Sequence, residues 1–158
     1  MKKVKTNAMR ILDKEKIVYE PMNYSTDDGK IDGVSVAHKI GREPGSVYKT
    51  LVAQGAGKEY YVFVIPVEEE LDLKKAAKAA GEKKVEMLAV KELLPVTGYV
   101  RGGCSPIGMK KLYFTIVEEQ AAQLQTVIVS AGKIGYQVEL SPQDLINVTK
   151  GRYGDVSK

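Results

Sequence analysis

Gly98-Tyr99-Val100-Arg101-Gly102-Gly103-Cys104-Ser105-Pro106-Ile107-Gly108-Met109-Lys110-Lys111 is the stretch from which the rest of the chain is best read. Four glycines, one proline and three cations fall within these fourteen residues. Glycine loses more conformational freedom on folding than any other residue, so its repetition marks backbone that needs positive φ or a close approach by another group. Arg101, Lys110 and Lys111 would suit an anionic partner. Composition alone leaves two readings open: a tight corner of a sheet with solvated lysines, or a turn lining a site. The flanking sequence has to decide between them.

The chain has 158 residues, the size of one domain with a substantial core. Its single cysteine cannot form an internal disulfide, in keeping with a reducing compartment. The basic start Met1–Thr6 runs into Asn7-Ala8-Met9-Arg10 rather than the apolar core of a signal peptide, and no run approaches the ~20 apolar residues of a membrane span. A cytoplasmic protein with no membrane partner is expected. A net charge of +4 admits a polyanionic partner. No Lys/Arg run exceeds two residues, so any nucleic-acid surface has to be assembled by the fold.

Thr6 is a suitable N-cap for a helix through Lys16, with Ala8, Met9, Ile11 and Leu12 toward the core. Ile17–Tyr24 alternates apolar and polar residues, and Pro21 makes it an edge strand. A polar loop over Ser25–Gly33 leads to a short helix, Val34–Ile40, stopped by Gly41. Strands follow at Ser46–Ala53 and Tyr60–Val67. The clearest helix is Leu71–Ala80, with Leu73, Ala76, Ala77 and Ala80 on its apolar face. A strand at Val85–Leu88 and a helical turn at Val90–Leu94, ended by Pro95, precede the glycine-rich stretch. Beyond it come a strand at Leu112–Val117, a helical turn at Glu118–Leu124, strands at Thr126–Ser130 and Tyr136–Leu140, and a helix opened by Ser141-Pro142. The tail after Val148 reads as polar and frayed. About seven short strands among irregularly placed helices argue against a doubly wound sheet and for an α+β fold around a curved, mixed sheet.

Conventional catalytic groups are few. One His and one Cys leave no N/S ligand set for zinc, and the glycines lack the Gly-Lys-Ser/Thr ending of a phosphate loop. No cofactor or metal is expected. His38 falls on a short helix with no partner visible for general-base work. Cys104 is either a nucleophile or a small turn thiol. Lys49 interrupts the apolar strand Val47-Tyr48-Lys49-Thr50-Leu51-Val52. It either points outward or sits in a pocket holding an anion or carbonyl oxygen. Ser130 ends an apolar strand before Ala131-Gly132, as a turn residue or as a hydroxyl at a cavity rim.

Taken in order, Lys5-Thr6-Asn7-Ala8, Val47–Val52, Leu71-Asp72-Leu73-Lys74-Lys75-Ala76, Thr97–Lys111 and Val129-Ser130-Ala131-Gly132-Lys133-Ile134-Gly135 resemble the YbaK/EbsC family. That family is related to the editing domain inserted in bacterial prolyl-tRNA synthetases. The resemblance runs over nearly the whole chain. It implies one editing domain over residues 1–158, with an α+β fold around a mixed, barrel-like sheet of about seven strands and short surrounding helices. It further implies tRNA as partner, with prolyl-tRNA synthetase as a second. The form of Gly102–Lys111 is similar to the branch that removes cysteine from Cys-tRNA(Pro), with Cys-tRNA(Cys) as a further substrate. Two alternatives stand on the same fold: editing of Ala-tRNA(Pro), and a non-catalytic tRNA-binding or regulatory module.

In the family the substrate's own thiol attacks the ester carbonyl, giving a thiolactone and free tRNA. The protein then has to fold the aminoacyl group, exclude water and stabilise an oxyanion. By resemblance, Lys49 corresponds to the family's central lysine and would hold the terminal adenosine or its neighbouring phosphate. Gly102 and Gly103, with Ser105, correspond to the pocket turn that presents backbone N–H groups to the ester. Ser130 corresponds to the serine after the late strand, and Tyr19 to an early aromatic near the pocket mouth. Thr50, Pro106, Gly108 and Gly132 complete the expected substrate-binding set. There are departures. Some relatives have a bulky aliphatic residue at the position of Cys104, which argues against a nucleophile there, and others have Asp at the position of Gln137. The loop Ser25–Gly33 matches poorly, and the family's pocket phenylalanine has no counterpart in it.

Overall fold

Tyr60–Pro66 is nearly all apolar because both of its faces are covered: Val62, Phe63, Val64 and Ile65 are fully buried. In the computed structural model, which describes residues 4–158, this segment is the middle strand of the larger of two sheets. The elements in chain order are α1 (Asn7–Lys14), β1 (Glu20–Asn23), α2 (Gly33–Lys39), β2 (Tyr48–Gly55), β3 (Tyr60–Pro66), α3 (Leu73–Ala80), β4 (Val85–Met87) and α4 (Val90–Thr97). Then come β5 (Phe114–Glu118), β6 (Val127–Ser130), β7 (Tyr136–Leu140), α5 (Pro142–Thr149) and β8 (Arg152–Gly154). Short 3₁₀ turns at Pro44–Ser46 and Glu119–Gln123 fill two connections.

The fold is mixed α+β. The larger sheet has the order β4-β2-β3-β5-β8, with β3–β5 and β5–β8 parallel, and the smaller is antiparallel, β1-β7-β6. Among the described residues, the expected single barrel-like sheet of about seven strands is realised as eight strands in two sheets, joined by a parallel bridge between Val47 and Ile128. Alternation along β3 divides the core: Val62 and Val64 pack with α1 and the smaller sheet, Phe63 and Ile65 with Ala76 and Ala77 of α3. Pro21 lies on β1 at the edge of the smaller sheet, where its missing N–H costs no ladder bond. Thr6 and Ser141 cap α1 and α5, each side chain accepting from a backbone N–H three residues on.

Three expectations are corrected. Leu73 begins α3 and is 43 % exposed, because Asp72 caps the helix through the Lys74 and Lys75 N–H groups; Leu71, just outside it, is the buried leucine. Helix α4 runs through Pro95 to Thr97, the ring forfeiting one backbone bond while Thr97 Oγ1 donates to the Leu93 carbonyl at 2.8 Å and Gly98 closes the end at φ +87°. The tail is ordered: β8 pairs with β5, Val156 is fully buried, and Glu118 holds the segment beyond. The Glu118 carboxylate accepts from Val156 N at 3.0 Å, Ser157 N at 3.1 Å, Ser157 Oγ at 3.0 Å and Gln120 N at 3.0 Å. Polar tail residues find internal partners there rather than solvent.

Candidate active site

The two sheets meet where β2 begins. Tyr48, Lys49 and Thr50 therefore emerge beside Ser130, the last residue of β6, and Gln137, its register partner on β7. Tyr24, the loop before α2, and Arg101, Gly102 and Cys104 of the glycine-rich segment complete the lining. Together they enclose a cavity of about 830 Å³, within the range of small-molecule sites.

Its polar chemistry is unusual. Four buried side-chain oxygens have no hydrogen-bond partner among the described residues: Tyr24 Oη, Tyr48 Oη, Thr50 Oγ1 and Gln137 Oε1. All four belong to residues that line this cavity. Tyr48 and Gln137 are only 2 % and 6 % exposed. Leaving a buried polar group unpaired costs ~1–3 kcal/mol, so folded proteins keep few of them. Four around one cavity mark a site suited to a polar ligand.

Lys49 supplies charge inside. Burial pushes its ammonium below the usual lysine range, against the opposite pull of Glu70 and Glu69. Tyr48 is pushed well above the usual phenol range by burial, then by the charges of Glu118 and Glu69, so its hydroxyl stays neutral. Ser130 Oγ accepts from Gly132 N at 3.2 Å, which leaves its own proton free to donate. Asp32 also lines the cavity, but its carboxylate caps α2 by accepting from Ser35 N at 3.1 Å.

Burial also pushes the Cys104 thiol up to about 11, with a hydrogen bond to Thr97 opposing the rise. A thiol in that state is protonated at neutral pH and is a poor nucleophile. Cys104→Ala is expected to keep turnover at this site within roughly threefold of wild type in a kinetic time course. A catalytic nucleophile would lose about 10³-fold or more when removed.

Of the residues read from sequence, Lys49, Thr50, Gly102 and Ser130 line the cavity. The other expected positions do not. Gly103 packs against the next turn, where a Cβ would approach Ile134 N to 2.9 Å. Ser105 is fully buried and accepts from Ile107 N, and Pro106 is buried beside it. Gly108, at φ +80°, lies on α1, where a Cβ would come within 2.8 Å of both Asn7 Nδ2 and Ile11 Cδ1. Gly132, at φ +95°, lies under the Tyr99 ring at 2.7 Å by the same measure. Tyr19 accepts from Lys5 Nζ at 3.1 Å and packs beside α1, so the aromatic residues at the cavity are Tyr24 and Tyr48 instead. Exposed His38 takes no part. Gln137, noted in the sequence only as a position where some relatives have Asp, lines the cavity; its signal is a polar side chain between apolar neighbours on the middle strand of the smaller sheet.

Comparison with known proteins gives a consistent set of likenesses. The model of the aminoacyl-tRNA editing domain matches residues 32–148. Over 153 residues the chain is 47 % identical to an Enterococcus faecalis protein provisionally named Cys-tRNA(Pro)/Cys-tRNA(Cys) deacylase EbsC, covering 97 % of this chain and 93 % of that one. It is 28 % identical over 109 residues to YwhH of Bacillus subtilis, covering 69 % of each. A solved structure provisionally described as a trans-editing enzyme for prolyl tRNA synthetase superposes with a TM-score of 0.82 at 20 % identity, over 98 % of this chain and 99 % of that one. The structure of protein APE2540 gives 0.86 at 21 % identity, over 94 % and 97 %. At such identities the structural likenesses speak for the fold alone.

Proposed function

Because the chain belongs to the aminoacyl-tRNA editing domain family, we propose that it is a deacylase that removes cysteine from mischarged Cys-tRNA(Pro), and from Cys-tRNA(Cys). The observation that carries this reading is the cavity: four unpaired buried oxygens and a half-buried lysine line it, and its one thiol, Cys104, is protonated. An aminoacyl nucleoside brings the missing partners, namely an α-amino group, ribose hydroxyls and an ester carbonyl. The near full-length identity to a relative named for cysteine deacylation supports the choice of amino acid.

The chemistry rests on the groups the cavity offers. The cysteine sulfur attacks its own ester carbonyl and forms the C–S bond of a thiolactone. The C–O bond to the ribose then breaks, and the ribose oxygen leaves with the proton the thiol gave up. The protein's part is to hold the chain folded for attack and to meet the negative charge on the carbonyl oxygen. Lys49, the free hydroxyl proton of Ser130 and the hydroxyl of Thr50 are donors suited to that charge. On the same reading, residues 1–158 act as one editing domain in the cytoplasm, and a prolyl-tRNA synthetase supplies the choice of tRNA.

The test is ester loss from proline tRNA charged with cysteine, serine, alanine or proline. Cysteine is expected to be removed at least 10²-fold faster than serine, since a hydroxyl has the shape of the thiol but is far less ionised near neutral pH. Equal rates for the two would rule out attack by the substrate thiol. Rapid loss of alanine instead would identify hydrolytic editing. Binding without turnover would leave a tRNA-binding module.

A further inference from the structure

Two segments that line the cavity meet beside it. A methyl group on Gly102 would come within 2.6 Å of Ile31 Cδ1, so the loop before α2 touches the glycine-rich segment at this pair. The residues preceding them, Lys30 and Arg101, stand on the two sides of that contact. Both are exposed and both line the cavity. Among the described residues, Lys5, Lys39, Arg42, Lys75, Lys84 and Lys158 each have a carboxylate within ion-pair distance. Lys30 and Arg101 have none.

Two acids beside Lys30, Asp28 and Asp32, already have partners. Asp28 accepts from Lys39 Nζ at 2.7 Å and from Lys30 N at 3.0 Å, and Asp32 accepts from Ser35 N. The backbone that carries Lys30 is also fixed. Lys39 Nζ donates to the carbonyls of Ser25 and Lys30, both at 2.8 Å, as well as to Asp28, which uses all three of its N–H bonds. Lys39 is thus spent on holding the loop, and Lys30 is presented by it.

We infer that Lys30 and Arg101 form a two-sided clamp for a phosphodiester of the single-stranded RNA end whose terminal residue enters the cavity. This rests on the RNA-substrate reading above and adds a site outside the cavity, distinct from Lys49 within it. The planar guanidinium of Arg101 suits two phosphate oxygens at once, while Lys30 contributes a compact point charge from the loop before α2. Of the nearby carboxylates, Asp28 is paired with Lys39 and Asp32 with the Ser35 N–H, which moderates their repulsion of a phosphate held there.

Neutralising a phosphate releases condensed counterions, so the clamp has a salt signature: each single-strand phosphate contributes about 0.7 to the slope of log K against log salt. The probe is an uncharged RNA hairpin with a single-stranded 3′ overhang, titrated at several salt concentrations against the full chain. The Lys30→Ala/Arg101→Ala double variant is expected to bind roughly tenfold more weakly at low salt, with the slope reduced by about 0.7. Lys78→Ala, on the exposed face of α3, serves as the control for nonspecific charge loss. Arg101→Lys is expected to recover the slope but only part of the affinity. A double variant with wild-type slope and affinity would overturn the clamp while leaving the RNA-substrate reading intact. A wild-type protein whose affinity for the hairpin does not depend on salt would overturn both.

Discussion

Lys49→Ala is expected to lower the rate of cysteinyl-ester cleavage by roughly 10²–10³-fold, the loss that attends removal of one preorganised donor at a developing oxyanion, without loss of the folded state. Lys49 lies on β2 opposite Ile65 of β3, and its ammonium is half-buried beside unpaired hydroxyls. Desolvation disfavours its charged form, so at neutral pH the lysine detracts from stability. The variant is expected to unfold at the same temperature as wild type or slightly above. An activity assay paired with a thermal melt checks both halves, and full activity in Lys49→Ala would remove the residue from the mechanism. The same burial fixes the sign of the pH effect. With its proton affinity lowered, Lys49 loses its charge at lower pH than an ordinary lysine, and the alkaline fall in rate should begin correspondingly early. Lys49→Arg keeps the charge at any accessible pH, so whatever activity it retains should lack that fall.

Glu118→Ala is expected to be the most damaging single change to stability. The carboxylate is 1 % exposed and takes four hydrogen bonds, two of them from the backbone beyond β8. Truncation strands those donors and leaves a cavity, at a cost of roughly 3–5 kcal/mol. At about 2–4 °C per kcal/mol for a chain of this size, the midpoint should fall by about 10 °C. Burial pushes the Glu118 carboxyl up, but the N–H groups of Gln120, Val156 and Ser157 and the Ser157 hydroxyl together outweigh it and hold it below the usual carboxylate range. Its stabilising contribution is therefore complete above the ordinary glutamate range and disappears as pH falls through the lower folded value. Glu118→Gln preserves shape, removes that acid-sensitive portion and points an N–H group at other N–H groups. Melting curves of the two variants at neutral and acid pH test the assignment, and a wild-type melt in either variant at neutral pH would refute it.

Local order is legible where one residue type has one physical use. Thr6 and Ser141 cap their helices, and β7 spans Tyr136–Leu140 because its alternation is clean and a turn bounds it. The order of the polar tail is hidden from local reading. Arg152–Gly154 carries no apolar pattern, and Glu118, which anchors Val156 and Ser157, is remote in sequence. The glycine-rich segment is half legible. Density of glycine reports that something comes close but not what: for Gly108 and Gly132 it is the protein's own α1 and Tyr99, and only Arg101, Gly102 and Cys104 of the fourteen residues reach the cavity. Tyr24 and Gln137 acquire meaning only from the pairing of β1 with β7, a register that no local pattern encodes.

That pairing also has a temporal side. Glu20 meets Glu139, and Asn23 meets Tyr136, across more than a hundred intervening residues. Sheets closed by such distant partners form late, since the chain must meet the cost of a large loop before any ladder bond forms. A nascent chain that ends before β6 already owns Lys49, Arg101 and Gly102 but has neither Ser130 nor Gln137, and β1 has nothing to pair with. Ester cleavage should therefore appear in a single step during synthesis, once β7 has emerged and docked, rather than grow with chain length.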